Sequence, residues 1–210
     1  CEFGEISIIE IQGKNLILNK FYSCLKISNK KFEQNLSEFM HKINDLDHPS
    51  IVKYRNFRYE KHLLRSTILM EMNSIKTLSD IHEETINKIQ LNDTKKLINI
   101  YGIACGMSFL HSNNIIHGKL NPKSIMIDDN FYPKISDYSF HNYFLTLDEI
   151  FKFNDFSVFN APEIYISNSI SKSSDVYSFG LIAYYIITNE IPFNNMKPLE
   201  FLNSIFEGNL

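Results

Sequence analysis

This sequence has too little material to build a disulfide framework, a membrane-spanning helix or a polyanion-binding surface. Its three cysteines, Cys1, Cys24 and Cys105, are odd in number and far apart, so cross-links are not expected and a reducing, cytoplasmic setting fits better. Seven histidines occur without H-E-x-x-H or paired C-x-x-C spacing, which leaves no His/Cys metal site to read. The longest apolar stretch, Phe179 to Thr188, falls short of the roughly 20 residues a membrane span needs and reads as a buried helix; no signal peptide is visible. The net charge is −3, so no nucleic-acid partner is expected. No repeat, low-complexity tract or Pro/Gly/Ser linker divides the chain, and a single domain follows.

What is there is ordinary material for a globular core: 210 residues, 44% of them hydrophobic and 21% charged. Ile6 to Ile11 and Asn15 to Ile27 read as short strands separated by a turn at Gln12-Gly13-Lys14. Apolar residues at Phe32, Leu36, Phe39, Met40, Ile43 and Leu46 have helical spacing, and strand character returns over Ile51 to Tyr59 and Leu63 to Met72. Asn73 to Thr77 is a polar connector. Helices are then expected over Leu78 to Ile89, Thr94 to Ser112 and Pro198 to Phe206, with His117 to Glu163 irregular between them.

Chemistry-bearing residues fall into short motifs in a fixed order. They are Glu2-Phe3-Gly4-Glu5-Ile6, Ser23-Cys24-Leu25-Lys26, His48-Pro49-Ser50-Ile51-Val52, and His117-Gly118-Lys119-Leu120-Asn121-Pro122-Lys123-Ser124-Ile125-Met126. Asp137-Tyr138-Ser139, Ala161-Pro162-Glu163 and Asp175-Val176-Tyr177-Ser178-Phe179-Gly180 follow. In this order they resemble the motif series of protein kinases: half of the glycine-rich loop, V-A-x-K, H-P-N-I-V, H-R-D-L-K-P-x-N, D-F-G and A-P-E. The flavour is that of the tyrosine-kinase-like group, and the H-G-x loop is similar to those in kinase-homology domains of receptor guanylyl cyclases.

The resemblance implies an α+β, bilobal fold. A small antiparallel sheet lobe with one helix would span residues 1–72, and a mostly helical lobe residues 73–210. The chain begins without Met and stops just past the helix at Pro198 to Phe206, so a fragment lacking the last helices of the large lobe is expected.

It also implies a site for ATP with Mg²⁺, binding weakly. Lys26 would grip the α- and β-phosphates under Phe3 and Gly4. Ile6, Cys24 and Met126 would sandwich adenine, and Met70-Glu71-Met72 would supply the hinge that reads its edge. Asp137 would ligate the metal, with Ser124 a weaker ligand where the family has Asn. The catalytic positions depart from the family. Lys119 stands where the Asp accepts the substrate hydroxyl proton, and Asn121 replaces the lysine that steadies the γ-phosphate. An ammonium with an ordinary pKa near 10.4 offers no lone pair at neutral pH.

Gly118 replaces the arginine that clamps a phosphorylated segment, so Thr146 and Ser157 have no recognisable receptor, and Phe156-Ser157 departs from the Thr-Pro before A-P-E. The count back from His48 that should reach the carboxylate partner of Lys26 lands on Phe39. Glu38 is adjacent but turned by about 100° on a helix. The expected function is a pseudokinase: a signalling scaffold with weak ATP binding, impaired phosphotransfer and an unidentified protein partner. The alternatives are a serine/threonine kinase with unconventional catalysis, using Lys26 and Asp137 for Mg-ATP, and a truncated product without a stable fold.

Overall fold

Strand-favouring Ile, Leu, Phe and Tyr residues build an antiparallel four-stranded sheet near the N-terminus. β1 (Ile6–Ile11) pairs with β2 (Lys14–Tyr22), from Ile6 opposite Asn19 to Ile11 opposite Lys14. The other edge of β2 pairs with β4 (Arg65–Glu71), which also pairs with β3 (Tyr54–Glu60), giving the order β1-β2-β4-β3. This computed structural model describes residues 6–11, 14–22, 38, 41–43, 45–60, 65–71, 76–85, 91–138, 156–167 and 169–209. Leu16, Tyr54 and Met70 turn into the core from this sheet. Of the helix expected between β2 and β3, residues 38 and 41–43 are helical, and Ile43 and Leu46 are buried.

The remainder is mostly helical. α1 (Leu78–Thr85) starts at a reciprocal cap: Asp80 N–H donates to the Thr77 hydroxyl, and Thr77 N–H donates to the Asp80 carboxylate. α2 (Asp93–Ser112) begins at Asn92, whose side-chain oxygen accepts from Lys95 N–H at 2.9 Å. α3 (Pro162–Ser167) is one and a half turns long, and α4 (Lys172–Thr188) follows a Ser171–Ser174 capping box. α5 (Pro198–Glu207) has Pro at its first position and Gly208 past its last, in the left-handed conformation. No helix among the described residues is long and apolar enough to cross a membrane.

The expectation of irregular chain from His117 onward is corrected at one place. β5 (Ile125–Ile127) and β6 (Pro133–Ile135) form an antiparallel hairpin there. The three residues of β5 are all buried, so they show no alternation of the kind that marks a strand in sequence. The hairpin also explains why the strand expected from Ile51 starts only at Tyr54. Val52 N–H donates to Ile135 O at 2.8 Å and Ile135 N–H to Ser50 O at 2.9 Å, so β6 takes the backbone of residues 50–52. On its other side, Ile127 N–H donates to Lys76 O.

The hairpin therefore lies between the sheet and the helices, tied to both. α2 packs directly on it. A Cβ at Gly106 would lie 2.8 Å from Ile135 Cδ1 and 3.0 Å from Ser50 O, so close that any larger residue would make its neighbours shift. One continuous hydrophobic core runs from Ile43, Val52, Tyr54 and Met70 through the hairpin to Ile103, Leu110, Ile182 and Tyr185.

Candidate functional site

The site grows from the first turn of α4. Asp175 is 2% exposed, and its carboxylate accepts from His117 N–H at 2.8 Å, Gly118 N–H at 2.9 Å and His111 Nε2 at 2.8 Å. Two consecutive backbone donors aimed at one side chain force a sharp bend in the loop. Gly118 meets it with φ of +81°, in the left-handed region that L-residues avoid.

His117 then ties the loop to the strand end that carries Asp137. Its ring is fully buried; Nδ1 accepts from Lys119 N–H at 3.3 Å, so Nε2 carries the hydrogen that is donated to Ser136 O at 3.0 Å. Burial holds its pKa below the ordinary 6.5, against the pull of the Asp175 charge. A neutral, bifunctional imidazole is thereby built into the loop.

The next turn closes on itself. Asn121 caps the 3-10 turn Pro122–Ser124: its side-chain oxygen accepts from Lys123 N–H at 2.9 Å, while its amide donates to Lys119 O at 2.8 Å. Ser124 is 3% exposed, and its hydroxyl accepts from Asn121 N–H at 3.1 Å and donates to Asn121 O at 2.9 Å. Both side chains are spent on the loop's own backbone. The pattern was legible, since Asn followed by Pro with Ser at the third helical position is a capping signal.

Asp137 stands across from this loop in a left-handed conformation, φ +58°. Its N–H donates to the Tyr54 hydroxyl oxygen at 2.8 Å, and the Ser136 hydroxyl lies 3.2 Å from both Ser124 O and the Asp137 carboxylate. Burial raises the Asp137 pKa above the usual 3.8; the Ser136 hydroxyl and the positive charge of Lys119 oppose the rise. Lys119 therefore acts electrostatically on Asp137. Tyr138 is fully buried, packs 5.0 Å from the Tyr54 ring, and donates its hydroxyl to Val52 O at 2.9 Å.

The sequence that folds into this sheet, hairpin and helical remainder matches the family model for the protein kinase domain over residues 3–208. The chain belongs to the protein kinase domain family. A probable serine/threonine-protein kinase of Dictyostelium discoideum is 25% identical over 90% of this chain. Calcium-dependent protein kinase 6 of Plasmodium berghei is 28% identical over 98%, and a probable serine/threonine-protein kinase of Arabidopsis thaliana 26% over 76%. The chain spans 14%, 14% and 41% of those three proteins, less than half of each.

Within this kinase domain, the residues expected to contact nucleotide divide in two. Met70 and Met126 are buried, 3% and 8% exposed, and Met126 sits in a backbone bridge to Thr77. Glu71 N–H donates to Lys53 O at 2.9 Å, and its carboxylate pairs with Arg55. Phe3, Gly4, Cys24, Lys26 and Met72 lie outside the described residues, as do Phe39, Ser139, Thr146 and the side chain of Ile6. Ser157 is described, and its N–H donates to the Tyr165 hydroxyl at 3.0 Å. Sequence reasoning missed Tyr54, which reads as one more aromatic in a strand; nothing local signals that its hydroxyl meets Asp137.

Proposed function

We propose that this kinase domain is a pseudokinase: a module that binds ATP weakly and regulates or scaffolds an unidentified protein partner, without efficient phosphotransfer. The small lobe is taken as residues 1–72 and the large lobe as 73–210. The observation that carries this reading is the histidine loop, held in shape by Asp175, with Lys119 at the position of the base and Asn121 and Ser124 committed to the loop's own backbone. An ammonium cannot accept the substrate proton, and general-base catalysis is worth about 10²- to 10⁴-fold. Loss of the lysine at the Asn121 position removes electrostatic stabilisation of the transferring phosphoryl group as well.

The donor set fits ATP with Mg²⁺ in a restricted way. Magnesium is held by one or two carboxylates together with substrate phosphates and water. Among the described residues no group of three or more His, Cys, Asp or Glu could hold a metal alone; Asp175 is taken up by the N–H groups of His117 and Gly118, which leaves the Asp137 carboxylate for the cation. Such a cation would arrive with the phosphates, and bound it would neutralise charge between them. Lys26 would grip the same phosphates, Met126 would line the adenine, Met70 would belong to the hinge that reads its edge, and Lys119 would add a positive charge beside Asp137.

Incubation with labelled ATP, Mg²⁺ or Mn²⁺ and generic protein substrates is expected to give no transfer above background. Robust transfer abolished by Lys26→Ala would establish the alternative, a serine/threonine kinase with an unconventional site. A small ATP-dependent thermal shift that disappears in Asp137→Ala is expected.

A further inference from the structure

We infer that Tyr54 is a positioning residue for Asp137: its phenol oxygen holds the aspartate backbone in the left-handed conformation in which the carboxylate can meet a phosphate-bound cation. The inference rests on the reading of Asp137 as the metal-binding carboxylate. It goes beyond that reading by assigning control of the carboxylate to a side chain in the sheet.

Three observations carry it. Asp137 is a non-glycine residue at φ +58°, a left-handed conformation that L-residues, Asp included, adopt only in the minority, so a contact that selects it bears on where the carboxylate sits. Asp137 N–H donates at 2.8 Å to the hydroxyl oxygen of Tyr54, a residue 2% exposed. A second tyrosine completes the clasp in the opposite sense, with the Tyr138 hydroxyl donating to Val52 O at 2.9 Å and its ring against Tyr54. Tyr54 and Val52 belong to one short stretch of the sheet side, and Asp137 and Tyr138 are adjacent. Two phenols thus bind the two segments to each other through polar groups where plain hydrocarbon would allow slippage. The carboxylate itself takes no part in the clasp, with one oxygen 3.2 Å from the Ser136 hydroxyl.

Tyr54→Phe removes one oxygen and keeps the ring packed on Tyr138, so the domain should remain folded. Two measurements test the inference. In the nucleotide-free protein, hydrogen exchange at the Asp137 amide should accelerate about fivefold in Tyr54→Phe, as expected for one net hydrogen bond, while amides in α2 and α4 keep their wild-type rates. Unchanged exchange at Asp137, or acceleration spread equally over α2 and α4, overturns the positioning role.

The second readout is the increment that Mg²⁺ adds to ATP affinity. It should fall about fivefold in Tyr54→Phe, with metal-free ATP affinity unchanged, and Tyr54→Phe should have no further effect on an Asp137→Asn background. An additive effect, or a loss of metal-free affinity alone, overturns it. If the wild type binds no nucleotide with any metal, the pseudokinase reading loses its ATP and the exchange measurement alone decides the role of Tyr54.

Discussion

Replacing Asp175 by Ala should be among the most damaging single changes in the described structure. The carboxylate is 2% exposed and accepts from two backbone N–H groups, those of His117 and Gly118, both buried. Removing it leaves two buried donors without their acceptor, at about 1–3 kcal/mol each, while His111, with its side chain 17% exposed, can turn to water. The sum is about 4 kcal/mol, a large part of the 5–15 kcal/mol by which domains are typically stable. For a chain of this size that is a drop of about 8–16 °C in Tm.

Asp175→Asn is the sharper variant. An amide keeps one acceptor oxygen but turns an NH₂ toward the other backbone donor, so it should lose more than half of the Ala effect despite its shape. Asp93→Ala, at an exposed carboxylate in the first turn of α2, is the control and should change stability by less than about 1 kcal/mol. Urea unfolding followed by circular dichroism reads all three. If Asp175→Ala lies within about 1 kcal/mol of wild type, the loop is not held by this carboxylate and the account of the site fails at its base.

Gly118→Ala places a Cβ on a residue at φ +81° and should cost about 1–2 kcal/mol in the same assay; a neutral or stabilising result would mean the loop adopts another conformation. His117 should stay neutral below pH 6.5, its folded pKa being lowered chiefly by burial. The unfolded chain then takes up the proton first, so this residue's contribution to stability is whole above pH 6.5 and is lost as pH falls toward the folded pKa. A ring ¹⁵N titration whose midpoint lies at or above 6.5 would refute it. Lys119→Asp should leave phosphotransfer at background, because Asn121 and Ser124 remain tied to the loop. It should also push the Asp137 pKa further up by removing the cation that lowers it, so metal-dependent ATP binding would begin at higher pH; a hundredfold gain in transfer would sink the reading.

Much of this was legible in the sequence. Motif order was enough for the family, and hydrophobic spacing placed α2 and α5 to within a residue or two at each end. The hairpin β5–β6 was not, because strands of three residues with every side chain of β5 buried carry no periodic signal. The roles of Asn121 and Ser124 were half legible. Family alignment put them at phosphate and metal positions, whereas their capping pattern follows from the neighbouring Pro122 alone. Tyr54 lay beyond sequence reasoning, since its contact joins residues 83 positions apart and depends on the left-handed turn at Asp137.

Shape and chemistry are separable in this loop because different atoms carry them. Asp175 grips main-chain N–H groups, which every residue except proline supplies, so the bend is indifferent to the side chain at position 119. The Asn121–Ser124 cap likewise acts on backbone, and His117 reads the main chain on both sides. A lysine can therefore occupy the position of the base without disturbing the fold. What it alters is the field at Asp137, where it opposes the rise in pKa that burial imposes on a carboxylate. A lysine at position 119 thus favours the charged form of the Asp137 carboxylate while leaving untouched the main-chain contacts through which Asp175 shapes the loop.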